Sequence, residues 1–340
     1  MISLLFIIIL LFPQYLFKSK RIVCDSSFLE RNRNQSFRGI LALLIVFAHV
    51  SHDYNFPLSS EGKPYGMVCV GLFFFFSGYG LMKQYIARRE TYLECFLLKR
   101  LKKLLPSFFI ITALCLIAEK MLNIKILEIG GGKIGYILVP NSWYVYVLFF
   151  FYIVFALSGR FFNKPIKVIS MLLGATVILI VLTTILGLGD WWWKSSFAFN
   201  VGTLLPILEK RSEKGIDINT GNKIFFFISA ILVLSAIPNV FGLSYYRVRS
   251  ILMIVLTTVL PIYFYIVFRK IPFNGNKVLY FLGSISYEIY LIHGVFLLLI
   301  RNTFPHMKST LCVIIIYLLT IVFSLPISIF SRWLNKIRIL

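Results

Sequence analysis

Arg38 and His49 lie in one apolar run, Arg-Gly-Ile-Leu-Ala-Leu-Leu-Ile-Val-Phe-Ala-His, where a helix serving only as a membrane wall would need neither. They are eleven positions apart. Eleven helical steps of about 100° make about three turns, so both side chains leave the same face with roughly 16 Å of axial separation. One face therefore carries a fixed cation, able to hold an anion, and a titratable imidazole, able to accept a proton. Ionisable groups at such depth are expensive to desolvate and mark functional paths. The same two residues also suit a snorkelling interfacial Arg and a hydrogen-bonded core His.

Four further constellations could take part. His49 is followed by His52 and Asp53 at i+3 and i+4, so Asp53 could orient the imidazole and fix its tautomer; equally, His52 and Asp53 could only mark a solvated helix end. Residues 71–80, Gly-Leu-Phe-Phe-Phe-Phe-Ser-Gly-Tyr-Gly, put Ser77, Gly78 and Gly80 behind four aromatic rings, where a ligand or another helix could approach the backbone. Lys99-Arg100-Leu101-Lys102-Lys103-Leu104-Leu105-Pro106 is a cationic patch that could hold phosphates or meet anionic lipid. Further on, Tyr290 precedes His293 by three residues and shares its face, whereas Glu288 does not.

The elements that must position these residues follow from composition. The 340 residues are 59% hydrophobic and only 14% charged, with a mean hydropathy of +0.86. That excludes a soluble globule and indicates an integral membrane protein. The net charge of +22 clusters between apolar runs rather than forming a nucleic-acid surface. Five cysteines, without paired or His-associated ligand spacing, give neither a disulfide framework nor a metal site.

A hydrocarbon core of about 30 Å takes about 20 helical residues. The runs 2–17, 38–54, 65–86, 104–122, 143–159, 168–188, 191–208, 223–241, 250–268, 279–300 and 309–331 then predict an all-α polytopic bundle of about eleven transmembrane helices. The first reads as a retained signal anchor, because its positive charges follow the apolar run. With the N-terminus outside, 26 of the 35 Lys and Arg fall in segments 18–38, 83–103, 160–167, 210–223, 269–277 and 332–338. By the positive-inside rule these are cytoplasmic, as is the C-terminus; Arg38 opens to the cytoplasm and His49 leans outward.

These residues together resemble the acyltransferase-3 family of multi-pass membrane acyltransferases, which includes bacterial enzymes that O-acetylate cell-surface sugars. The matching segments run in order: Arg38 to His49; Phe73, Phe74, Ser77 and Gly78; Arg100 to Pro106; Tyr290, Leu291 and His293. Two positions depart from the family pattern. Lys103 stands second in a basic pair, which keeps charge but not bidentate geometry, and Leu148 stands where many members carry Glu.

The resemblance implies a ten-helix core plus an added N-terminal helix, divided as an anchor and basic link over 1–35 and an acyltransferase domain over 36–340. It also implies an acetyl-CoA or other acyl-CoA donor held by Arg38, Arg100, Lys103 and Ser77, and no metal. His49 would act as general base or acyl carrier, with Arg38 and Asp53 beside it. Tyr290, His293 and Glu288 would meet a saccharide acceptor. The partners implied are membrane lipid and saccharide, not nucleic acid, in the cell membrane. Intramembrane titratable groups suit a transporter or flippase for a lipid-linked saccharide as well, although no repeated halves are evident.

Overall fold

A computed structural model describes residues 31–62, 65–130, 136–211, 246–270 and 276–336. The apolar runs 2–17 and 223–241 lie outside the described residues. The helices are α1 (Arg31–Asp53), the single turn α2 (Ser59–Gly62), α3 (Tyr65–Leu93), α4 (Phe96–Leu122), α5 (Trp143–Phe161), α6 (Pro165–Ile185), α7 (Phe197–Arg211), α8 (Tyr246–Lys270), α9 (Lys277–Ser284), α10 (Ser286–Thr303) and α11 (Ser309–Lys336).

Among the described residues six helices are long and apolar enough to cross a membrane, or seven if one bent pair counts as a span. The described residues therefore account for fewer than the eleven spans expected, two of which fall outside them. The run 191–208 gives way to a 3₁₀ turn at Asp190–Trp192 and a helix of only 15 residues at Phe197–Arg211. There Lys194 pairs with Asp190 and its ammonium donates to Ser250 Oγ at 3.0 Å, so polar side chains hold a turn where hydropathy alone predicts helix. Helix α8, by contrast, covers the whole of the predicted run 250–268. The all-α expectation also needs one addition, an antiparallel hairpin of β1 (Glu128–Gly130) and β2 (Tyr136–Leu138). Glu119 of α4 anchors its base by accepting the backbone N–H groups of Ile126 and Leu127 at 2.7 and 2.6 Å.

Three departures shape the site. The run 279–300 is two helices, α9 and α10, bent by 70°. The break falls at Ser284-Ile285-Ser286; Ser284 turns its hydroxyl onto the Phe281 carbonyl at 2.7 Å, and Ile285 has φ −117° and ψ 14°. The basic patch, expected to link helices, is itself helical, since α4 begins at Phe96 after a left-handed Cys95. Lys99, Arg100 and Lys103 thus sit at i, i+1 and i+4 on one helix. Finally, α3 carries a non-helical Arg88, φ −146° and ψ 49°, near its end.

Close packing sets how these helices face one another, because lipid is as apolar as the side chains and association rests on shape. A Cβ on Gly78 of α3 would strike the Phe199 carbonyl of α7, and one on Gly202 of α7 would strike the Phe75 carbonyl. The same mutual approach joins α1 to α9, where Gly39 faces the Leu279 carbonyl and Gly283 faces that of Gln35. Tyr317 of α11 steadies α1 by donating to the Leu43 carbonyl at 3.0 Å. Inside lies an aromatic core in which Phe151 stacks on Phe199 with centroids 4.7 Å apart. Outside, large apolar side chains stay exposed, among them Val177 and Ile178 on α6 and Leu318 and Val322 on α11, as lipid-facing surfaces require.

Candidate active site

A cavity of about 320 Å³ opens between α1, α3, α4, α5 and α10. Arg38 enters it from α1, Ser77 from α3, Arg100 and Lys103 from α4, and Tyr287 and Tyr290 from α10. The four residues expected to hold the donor, Arg38, Arg100, Lys103 and Ser77, thus line one cavity. Helix α5 supplies Tyr144, Leu148 and Tyr152 at i, i+4 and i+8. Leu148 is buried and lines the cavity, so the position discussed above carries no carboxylate there.

Arg100 is built in rather than loosely exposed. Its Nη2 donates to the Tyr92 hydroxyl at 3.0 Å, and its guanidinium carbon lies 5.5 Å from the ring centroids of both Phe96 and Tyr152. Aromatic faces attract a guanidinium and hold its plane, which suits oriented anion recognition. Arg38 is partly buried, and its Nε has no hydrogen-bond partner among the described residues. Its electrostatic neighbours are Tyr144, Tyr152 and Arg100. A second cavity of about 440 Å³ adjoins the first, shares Gln84, Arg100 and Lys103 with it, and adds Arg88 and Lys99. No described residue lining either cavity is Asp or Glu. Cations crowded in a partly desolvated site whose lining holds no carboxylate repel one another, an arrangement stabilised by an anionic ligand.

Beyond Tyr290 the cavity gives way to a column of rings. Tyr290 packs on Tyr144 with centroids 5.4 Å apart and lies 5.9 Å from His293. Its hydroxyl donates to the Asn141 carbonyl at 2.5 Å. His293 in turn lies 4.9 Å from His49. The two histidines, far apart in sequence, meet because α1 and α10 pack side by side.

Other candidates stand apart. Asp53 is engaged with Arg301 of α10, Oδ2 to Nη1 at 3.2 Å. Glu288 is buried beside the lining residues Ser286 and Tyr287 without itself lining the cavity, accepts the Ser107 hydroxyl at 2.8 Å, and has Lys103 and Arg332 as its charged neighbours. Sequence reasoning missed Tyr144, Tyr152 and the aromatic seat of Arg100; the four-residue spacing of Tyr144, Leu148 and Tyr152 was the available signal. Among the described residues no group of three or more His, Cys, Asp or Glu is placed to hold a metal.

A family model described as an acyltransferase domain matches residues 35–332. No curated protein and no solved structure matches the chain.

Proposed function

The chain belongs to the acyltransferase-3 family of membrane acyltransferases, and from that premise we propose that it moves an acetyl or other acyl group from cytoplasmic acyl-CoA to a hydroxyl of a cell-surface or lipid-linked saccharide. The observation that carries this reading is the pair of adjoining cationic cavities, free of carboxylates among the described lining residues and shared through Arg100 and Lys103. The anionic nucleotide end of the donor fits Arg88, Lys99, Arg100 and Lys103. Its uncharged arm fits the cavity walled by Arg38, Ser77 and the tyrosines of α5 and α10. Arg38 and His49 share a helix face, so the acyl path runs along α1 toward the histidines.

At that end His49 takes the proton of the acceptor hydroxyl as its oxygen attacks the thioester carbonyl. The new C–O bond forms, the C–S bond breaks, and His49 returns the proton to the departing thiolate. General-base action of this kind contributes typically about 10²–10⁴ in rate. Tyr290 and His293 border the acceptor. In this reading the protein sits in the cell membrane with its N-terminus outside and its C-terminus in the cytoplasm, residues 1–35 serving as an anchor before the acyltransferase domain.

The test is His49→Ala at matched expression, read by mass spectrometry of surface polysaccharide and peptidoglycan for a lost acyl mass. Loss of acylation is the expected result. Undiminished acylation rejects His49, and saccharide moved across the membrane unmodified, with no need for a thioester, identifies a carrier instead.

A further inference from the structure

His293 is 0% exposed, and its Nδ1 lies 3.3 Å from the Ile289 carbonyl. A carbonyl oxygen only accepts, so Nδ1 carries the proton and Nε2 presents a lone pair. That Nε2 is buried and has no hydrogen-bond partner among the described residues. An unpaired buried acceptor is disfavoured, so Nε2 calls for a donor. Packed against the His293 ring is that of His49, with centroids 4.9 Å apart and planes inclined by 42°. At that separation a turn of the His49 ring would leave room for an N–H···N hydrogen bond of roughly 3 Å between the two rings.

We propose that His293 is the positioning residue for His49: its Nε2 accepts an N–H from His49 and so fixes the tautomer whose other nitrogen offers a lone pair to the acceptor hydroxyl. The proposal rests on His49 as general base and assigns the orienting role that spacing alone suggested for Asp53. Asp53 has its carboxylate on Arg301. A neutral imidazole does this work differently from a carboxylate. It fixes direction and tautomer, and it stabilises the imidazolium through a lone pair rather than a full negative charge. It also needs no buried anion at this depth, which suits an apolar bundle.

The experiment uses the full chain with ¹⁵N-labelled histidine in lipid nanodiscs, the ring nitrogens read by NMR, alongside acyl transfer to surface polysaccharide in complemented cells. His293→Leu removes the acceptor atom, and His293→Gln restores one near the position of Nε2. The expected result is one His49 tautomer in the wild type and in His293→Gln. In His293→Leu that tautomer is mixed and transfer falls at least about tenfold, while His293→Gln recovers most of the transfer. Should His293→Leu fail to fold, His293→Asn takes its place, because its amide reaches the Nδ1 position but not Nε2. An unchanged His49 tautomer overturns the proposal, even if transfer falls, since His293 would then act on substrate. If His49→Ala leaves transfer intact, the general-base reading fails separately, while the NMR result still decides the bond between the two rings.

Discussion

Replacing Arg100 by Lys, Gln and Glu in turn should weaken donor binding in that order. Arg100 is one of the two cations, with Lys103, that line both cavities, and it is held by Tyr92, Phe96 and Tyr152. Lys keeps the charge but loses the planar fork and much of its fit to the two aromatic faces, about 1–2 kcal/mol, or roughly 5–30-fold in affinity. Gln removes a charge-assisted bond to the ligand, about 1.5–3 kcal/mol, or roughly 10–150-fold. Glu goes further, because its carboxylate would pair with Lys103 or Arg38 and withdraw a second cation from the donor. The assay is equilibrium binding of radiolabelled acetyl-CoA to the full chain in nanodiscs over a range of salt. The Michaelis constant equals the dissociation constant only when chemistry is slow, so it does not suffice alone. Affinities within about twofold of wild type for all three variants would refute the donor site. A rise confined to the acceptor's Michaelis constant would move the acceptor to this cavity.

Gly202→Ala should lower thermal stability by about 1–3 kcal/mol, because its new Cβ strikes the Phe75 carbonyl and α3 and α7 must separate. A melting temperature equal to wild type in the same detergent would show that the approach is not limiting. Asp53→Asn should reduce stability by at most about 1 kcal/mol, since the pair with Arg301 is partly exposed. It should also slow turnover less than His293→Leu does; the reverse order would return the orienting role to Asp53.

The alignment of Arg38 with His49 was legible in the sequence because both lie on one helix, where covalent geometry alone fixes direction over three turns. Membrane residence was legible for a similar reason, since hydropathy is a local property, and so was the cationic character of the patch around Arg100. Spacing gave Asp53 as the neighbour of His49, and in the folded chain Arg301 takes its carboxylate. Spacing gave Tyr290 and His293 a common face, yet not what that face meets.

The break at Ser284-Ile285-Ser286, the aromatic seat of Arg100 and the contact between His49 and His293 were decided only by tertiary structure. Each depends on how far one helix is rotated and how closely it approaches another. Those quantities are set where glycines such as Gly39 and Gly283 admit a neighbouring backbone, through contacts between residues remote in the chain. Periodicity within one helix fixes which side chains travel together; only packing between helices decides which of them meet.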